Sequence, residues 1–130
     1  MCYHLIMSIE FKANHPVRQI KSFKYAFEGL FHAIMTEPNF RIQVMIMLTS
    51  VILGKIFKIT RVEWFVLTTS VGILMIVEII NTVIEEMMDQ LFKEKKEGVK
   101  IIKDLSAAAV LLTLFVTLTN LILIFGQRFF

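Results

Sequence analysis

The sequence predicts an all-α membrane protein with three transmembrane helices and an N-terminal amphipathic surface helix. Of the 130 residues, 56% are hydrophobic, and the mean hydropathy is +0.70, which is too apolar for an ordinary soluble domain. Residues 105–126 carry no charge, and this run is long enough to cross a hydrocarbon core of roughly 30 Å. Apolar residues near the N-terminus recur every three or four positions, the spacing of an amphipathic helix.

The chain is too short for two domains, so residues 1–16 are predicted as an N-terminal segment and residues 17–130 as one membrane domain. Within that domain we expect a surface helix at about 17–35 and spans at about 40–57, 62–84 and 105–126. The first two spans contain shorter apolar runs, which alone are also compatible with buried helices of a soluble protein. They become long enough to span when both helices extend past their charged flanks.

The surface helix has two interpretations. It either packs on the bundle or lies in the headgroup layer with its lysine and arginine side chains facing anionic lipid. We favour the second, because three spans leave little soluble core to pack against. Its apolar face consists of Ile20, Phe23, Phe27, Leu30 and Ile34.

The charges exclude some classes and predict an orientation. A net charge of +3, spread along the chain, is too weak for a nucleic-acid partner. Cys2 is the one cysteine, so no intramolecular disulfide forms, and no Cys/His cluster has the spacing of a zinc site. Lysine and arginine divide ten to four between the two sides of the predicted spans, which places the N-terminus of a multi-pass cell-membrane protein in the cytoplasm.

The segment Glu78-Ile-Ile-Asn81-Thr-Val-Ile-Glu85-Glu86-Met-Met-Asp89 places acids inside an otherwise apolar sequence. Four of its polar side chains fall within about 80° of one another on a helix and form what we call the acidic stripe: Glu78, Asn81, Glu85 and Asp89. Carboxylates at membrane depth cost roughly 2.5 to 3.5 kcal/mol, so they are usually paired and functional. Either Glu78 makes a structural salt bridge and the later acids are a solvated helix end, or the stripe supplies a metal ligand and a general base. Asn81, between two carboxylates on one face, favours the second interpretation.

Two further acidic positions suit the binding of a metal and a nucleotide. Glu37, just before the first span, either caps a helix or completes a Mg²⁺ site with Glu85, since Mg²⁺ takes one or two carboxylates plus phosphate oxygens and water. At the start of the third span, Lys103 can reach a phosphate, and Asp104 either caps the helix or holds a ribose. No P-loop or GxGxxG motif occurs, so a soluble nucleotide-binding fold is not supported. Phosphoryl transfer needs mainly positioning, metal and positive charge, so it does not require one.

The acidic stripe, Lys103-Asp104 and the following Ser106-Ala-Ala-Ala-Val110 together resemble the signature of the prokaryotic diacylglycerol kinase and undecaprenol kinase family of small integral membrane lipid kinases. The resemblance runs over nearly the whole chain from Arg18 onward. It implies phosphorylation of a membrane lipid alcohol, undecaprenol or diacylglycerol, by ATP and Mg²⁺ at the cytoplasmic interface. It also implies a homotrimer whose active sites are shared between neighbouring subunits.

The resemblance further implies a role for each candidate site residue. Glu78 matches the catalytic base, and Glu37 and Glu85 match the metal ligands. The residues that match the ATP site are Arg18, Lys21, Tyr25, Glu37, Asn81, Glu85, Asp89, Glu94, Lys103 and Asp104, and those that match the lipid site are Asn39, Phe40 and Arg41.

Two local features qualify the resemblance. Glu94-Lys95-Lys96 stands where members often carry Glu-Tyr-His, which affects the expected contacts to the purine. The run Thr36-Glu37-Pro-Asn39-Phe-Arg41-Ile is more similar to the undecaprenol kinase branch than to the diacylglycerol kinase branch.

A hypothesis from a different class is a non-enzymatic small oligomeric membrane protein, an assembly factor or a pore, with a structural acidic stripe. A pore does not need Glu37, the acidic stripe and Lys103-Asp104 at one membrane level, so their joint presence favours the kinase.

Overall fold

The computed structural model describes residues 16–94 and 96–129, and this part of the chain contains four helices and no β-strand. The helices are α1 (Pro16–Thr36), α2 (Pro38–Ile56), α3 (Arg61–Leu91) and α4 (Glu97–Phe129). The predicted all-α class is therefore confirmed. Apart from Pro16, the predicted N-terminal segment lies outside the described residues.

Three of the described helices, α2, α3 and α4, are long and apolar enough to cross a membrane, as the sequence predicts. Large apolar side chains are exposed on each of them, such as Ile52 on α2, Ile76 on α3 and Phe115 on α4, which suits a surface that faces lipid. Helix α3 packs against both neighbours, more extensively against α4 than against α2. Short connections make consecutive helices antiparallel, so the start of α2, the end of α3 and the start of α4 share one end of the bundle. We call this the acidic end and the opposite one the far end.

The turn from α2 to α3 at the far end closes with a Schellman motif. Lys58 adopts a left-handed conformation with φ 50°. The Lys58 amide donates to the Lys55 carbonyl at 3.4 Å, and the Ile59 amide donates to the Gly54 carbonyl at 3.1 Å. These bonds satisfy carbonyl groups that the end of α2 would otherwise leave unpaired.

Helix α3 then begins with a capping box. The Glu63 amide donates to the Thr60 hydroxyl, and the Thr60 amide donates to Glu63 Oε2 at 2.7 Å. The same carboxylate oxygen accepts a hydrogen bond from Arg128 Nη2 at 2.8 Å, and both side chains are half-buried. One acid therefore starts α3 and ties it to the last turn of α4.

Close packing of an aromatic ring on a glycine also joins the helices at the far end. A Cβ atom added to Gly54 would lie 2.8 Å from Cη2 of Trp64 and 3.0 Å from Cδ1 of Ile59. Only a glycine lets the indole approach α2 so closely. The buried cluster beside it consists of Ile59, Leu67, Ile124 and Phe125.

The midsection of α3 and α4 is joined by a buried hydroxyl. The Thr117 hydroxyl is positioned to donate to the Ser70 carbonyl of α3 at 3.2 Å and to its own helix at Thr113 at 2.8 Å. Thr117 is 1% exposed. Small hydroxyl residues of this kind let membrane helices approach closely and satisfy the hydroxyl at the same time.

The chain divides into two units, Met1–Thr36 and Glu37–Phe130, and α1 belongs to the first. The apolar side chains predicted for one face of α1 are all exposed, as are the basic side chains Lys21 and Lys24. Lys24 pairs with Glu28 one turn later, at 3.7 Å. The predicted helix is confirmed, and its place in the headgroup layer stays a prediction.

Candidate active site

A buried carboxylate lies where α2 and α3 meet. Glu78 of α3 is 2% exposed and Gln43 of α2 is 5% exposed. The side-chain amide Nε2 of Gln43 donates a hydrogen bond of 2.8 Å to Oε2 of Glu78. A carboxylate without a partner is very costly in an apolar interior, so this donor is what makes the buried acid tolerable.

A second amide and carboxylate pair follows one turn later on α3. Nδ2 of Asn81 donates to Oε1 of Glu85 at 3.0 Å, and Asn81 is 9% exposed. In both pairs the amide nitrogen is engaged, whereas the amide oxygens, Oε1 of Gln43 and Oδ1 of Asn81, are buried and have no hydrogen-bond partner among the described residues. An unpaired buried acceptor costs roughly 1–3 kcal/mol, so two of them, one in each pair, indicate a polar site rather than a fully satisfied core.

The acidic stripe runs from the buried interior to the surface. Glu78 and Asn81 are buried, Glu85 is partly buried and Asp89 is exposed. The prediction that one helical face carries these groups is therefore compatible with the structure, which adds a gradient of burial along α3. Such a gradient suits a reaction between a group held in the membrane and one that arrives from water.

Lysine 103 of α4 pairs with the exposed end of the acidic stripe. Its Nζ atom donates to both carboxylate oxygens of Asp89, at 2.9 and 3.0 Å. The next residue, Asp104, accepts from Lys100 at 2.7 Å. The expectation that Asp104 caps a helix is wrong, because α4 begins at Glu97 and Asp104 lies about two turns inside it.

Four residues predicted for the nucleotide line one open cavity of about 600 Å³ at the connection between α3 and α4: Asp89, Glu94, Lys103 and Asp104. Lysines 93, 96 and 100 also line it, so the cavity carries both signs of charge. Lys95 lies outside the described residues. The cavity is large enough for part of a nucleotide and offers positive charge to its phosphates.

Glu37 occupies the N-cap position of α2, with extended backbone angles of φ −99° and ψ 110°, but its carboxylate makes no capping hydrogen bond. The capping alternative for its side chain is therefore not realised, and Pro38 starts the helix without needing an amide partner. The carboxylate remains available as a ligand. Among the described residues, no three acidic, histidine or cysteine side chains lie close enough together to hold a metal ion by themselves.

The three residues predicted for the lipid differ in exposure. Asn39 and Arg41 are exposed, whereas Phe40 is 1% exposed and packs inside the bundle. Arg41 lines the mouth of an apolar groove of about 780 Å³ between α2 and α4, which extends to Phe125 and Gly126 at the far end. A groove with a cation at one end and apolar walls along the membrane suits the tail of a lipid.

The remaining predicted nucleotide residues belong to α1. Arg18, Lys21 and Tyr25 follow one another at steps of three and four, which places them on one face of that helix. Lys21 and Tyr25 are exposed, and for Arg18 the backbone alone is described.

Neither Gln43 nor the pair formed by Glu63 and Arg128 is predicted from the sequence. Gln43 is an amide in a run of apolar residues near the start of a span, which is a signal that sequence alone offers. Its partner, however, lies 35 positions later, and the spacing of Glu63 and Arg128 is 65 positions. No local periodicity connects residues so far apart.

Three helices that are long and apolar enough to span a membrane, with two amide and carboxylate pairs at one end of the bundle, define a small integral membrane protein with a polar site at that end. A family model described as prokaryotic diacylglycerol kinase matches residues 24–125, so the chain belongs to that family. The resemblance stated from sequence is thereby confirmed.

Known members of the family are similar over most of this chain. The diacylglycerol kinase of Escherichia coli strain K12 is 30% identical over 112 residues, which cover 86% of this chain and 92% of that protein. The undecaprenol kinase of Bacillus subtilis strain 168 is 29% identical over 97 residues, 75% of this chain and 79% of that protein. The protein is therefore a membrane lipid kinase, and the non-enzymatic alternative is set aside.

Proposed function

We propose that the protein phosphorylates the hydroxyl of a membrane lipid alcohol with ATP and Mg²⁺ at the cytoplasmic surface of the membrane. The observation that carries the proposal is the buried carboxylate of Glu78, which accepts a hydrogen bond from Gln43 of α2. Glu78 lies on α3, the helix that also carries Glu85 and Asp89. Along α3, Glu78 lies about 10 Å deeper than Glu85, at 1.5 Å per residue. This separation suits a lipid hydroxyl that meets a phosphate from water.

In the reaction, the lipid oxygen forms a bond to the γ-phosphorus, the bond from that phosphorus to the β–γ bridging oxygen breaks, and ADP leaves. A lipid alcohol attacks poorly unless a neighbouring group orients it and accepts its proton as the bond forms. We assign this role to Glu78, because it is the most deeply buried carboxylate of the acidic stripe. Its proton then passes to water when the product leaves.

We propose that residues at the acidic end hold a magnesium ion. Glu85 offers a carboxylate, and the unpartnered Oδ1 of Asn81 offers a carbonyl oxygen, both of which Mg²⁺ accepts directly or through water. Glu37, whose carboxylate is not used as a cap, is the second proposed carboxylate ligand. When bound, the ion neutralises charge on the transferring phosphate.

The ATP phosphates are proposed to compete with Asp89 for Lys103. In the structure both carboxylate oxygens of Asp89 accept hydrogen bonds from the ammonium group of Lys103. The Asp89 side chain is exposed, so water can replace Lys103 as its partner when a phosphate binds the lysine. Glu94 and Asp104 line the same cavity and are assigned to the rest of the nucleotide. By the family resemblance we also assign Arg18, Lys21 and Tyr25 of α1 to binding of the nucleotide.

For the lipid we propose undecaprenol, with the head near Asn39 and Arg41 and the tail in the groove between α2 and α4. The Glu37-Pro-Asn39-Phe-Arg41 run, which is similar to the undecaprenol kinase branch, supports this choice. Diacylglycerol is the second candidate, supported by the similarity to the Escherichia coli diacylglycerol kinase. Phe40 contributes by packing beneath the site.

The test is transfer of labelled γ-phosphate from ATP by the purified protein in lipid and detergent micelles, with undecaprenol and diacylglycerol side by side. We expect lipid phosphate to form only with Mg²⁺ and more rapidly with undecaprenol. Faster phosphorylation of diacylglycerol would overturn the substrate choice. Absence of lipid phosphate with either alcohol would overturn the proposed function.

Orientation and assembly complete the proposal. We propose a cytoplasmic N-terminus, supported by the ten-to-four division of basic residues, and a homotrimer, as the family resemblance implies. A tag before Met1 is expected to be protected in right-side-out vesicles, and one after Phe130 accessible. Tags on the same side would contradict three spans, and a monomeric mass in mild detergent would contradict the trimer.

A further inference from the structure

We propose that Gln43 is a positioning residue for Glu78, and that it holds one carboxylate oxygen so that the other meets the lipid hydroxyl. This rests on the proposed function, since it assigns a role to the partner of the proposed base. Gln43 belongs to none of the groups predicted from sequence to bind ATP, metal or lipid.

The first support is the geometry of the pair. The distance of 2.8 Å between Gln43 Nε2 and Glu78 Oε2 lies in the range of hydrogen bonds to ionised acceptors. Both side chains are more than nine-tenths buried. Phe40, three positions before Gln43, and Leu74, four positions before Glu78, are fully buried on the same helix faces. This packing restricts the rotamers of both polar side chains.

The second support is the direction of the amide. A carboxylate only accepts hydrogen bonds, so the NH₂ group must face Glu78, and the opposite orientation would set two acceptors against each other. The amide oxygen of Gln43 then points away from Glu78, and it is buried with no partner among the described residues. A purely structural amide in a core would have both ends satisfied. The buried, unpaired oxygen therefore distinguishes this pair from a satisfied contact of a core.

The consequence is specific to turnover. A glutamate has three rotatable side-chain bonds, and a displacement of about 1 Å of a catalytic group can cost about 100-fold in rate. Gln43 Nε2 removes that freedom by engaging Oε2 of Glu78. Because Gln43 binds Glu78 and not the substrates, its loss is expected to lower kcat and to leave the KM values for ATP and lipid nearly unchanged.

The main variant is Gln43→Met, which keeps the length of the side chain but has no N–H donor. We expect kcat to fall by about 10-fold or more, with both KM values within about threefold of the parent. The matched control is Thr117→Val, which removes a different buried hydrogen bond between helices, about 12 Å along α3 from Glu78, at nearly constant size. It is expected to lower the melting temperature without changing kcat.

A variant that restores the hydrogen bond distinguishes a positioning role of Gln43 from a packing role. In Gln43→Glu the new carboxyl donates the same hydrogen bond when it shares one proton with Glu78, so we expect kcat at least threefold above that of Gln43→Met. If Gln43→Met does not fold, Gln43→Asn tests the positioning role instead. It keeps a polar amide but moves the N–H donor away from Glu78 by about one bond length, roughly 1.5 Å. It is then expected to show the same loss of kcat at unchanged KM.

The positioning role would be overturned if folded Gln43→Met keeps a kcat within about threefold of the parent. If Gln43→Met does not fold, a parental kcat in Gln43→Asn would overturn it. So would a loss of kcat in Thr117→Val equal to that in Gln43→Met, since any buried hydrogen bond would then suffice. These outcomes are distinct from failure of the proposed function, which is a parent protein that phosphorylates no lipid alcohol.

Discussion

The two ends of the bundle formed by α2, α3 and α4 both contain polar side chains, but they differ in how many of the polar atoms have hydrogen-bond partners. At the far end, Glu63 accepts from Arg128, the Thr60 amide and the Thr60 hydroxyl, so one carboxylate closes a complete network. At the acidic end, Gln43 and Asn81 donate to carboxylates while their own oxygens remain buried and unpaired.

This difference indicates two roles for polar groups: those at the far end stabilise the fold, and those at the acidic end are available to bind a ligand. A satisfied network in a membrane protein fixes helix positions, because breaking it leaves a charge without a partner. An incomplete network carries a cost in the folded state, and binding of a ligand recovers it. Substitutions at the far end should therefore change stability, and those at the acidic end should change chemistry.

The largest effect is expected for Glu78→Gln. The variant keeps the size of the side chain and an oxygen that accepts from Gln43, but it has no carboxylate to take the lipid proton. We expect turnover to fall by about 100-fold or more with nucleotide binding nearly intact, in line with the loss of a general base. Steady-state lipid phosphorylation and nucleotide binding in one preparation measure both. Activity within about threefold of the parent would remove the base role, and loss of nucleotide binding would move Glu78 to the ATP site.

A smaller effect is expected for Glu85→Ala. If Glu85 and Asn81 contribute to the magnesium site, the variant needs at least about 10-fold more Mg²⁺ for half-maximal activity, since metal affinity depends on the ligand carboxylates. Glu86→Ala is the matched control, because Glu86 is the next residue and is exposed. A Mg²⁺ titration of lipid phosphorylation makes the comparison. Superimposable curves for the parent and Glu85→Ala would show that Glu85 is not a ligand.

At the far end, Gly54→Ala should act on stability alone. The new methyl group would lie 2.8 Å from the Trp64 ring, so the indole must move, at a cost of roughly 1–3 kcal/mol. Gly72→Ala is the control, because a Cβ there has no neighbour within 4 Å, and it is expected to be neutral or stabilising by roughly 0.5–1 kcal/mol. Thermal unfolding in detergent measures both variants, and equal melting temperatures would contradict the close contact.

The smallest effect is expected for Arg128→Met. The substitution removes the partner of Glu63 but leaves the capping box at the start of α3 intact. Because both side chains are only half-buried, we expect a melting temperature lower than that of the parent by less than in Gly54→Ala, and a parental kcat. A drop in kcat comparable to that of Glu85→Ala would erase the distinction between the two ends.

Much of the candidate site was predictable because it is local. Glu78, Asn81, Glu85 and Asp89 share one helix, so the helical period alone places them on one face. Gln43 is not predicted from the sequence, because its partner lies on another helix. The sequence predicts a third span at about 105–126, and the helix α4 itself begins earlier, at Glu97. The uncharged run marks the membrane span, whereas the helix continues outward through the charged turn that contains Lys100 and Asp104.

The sequence by itself determined the fold class, the number of membrane helices and the face of α3 that carries the acids. Hydropathy and helical periodicity act over a few turns, so they are visible in one dimension. Only the tertiary structure decided which acids are buried, that Gln43 holds Glu78, that Asp89 engages Lys103, and that Glu63 is closed by Arg128. These pairs depend on how α2, α3 and α4 dock, and docking brings together residues that no local pattern in the chain connects.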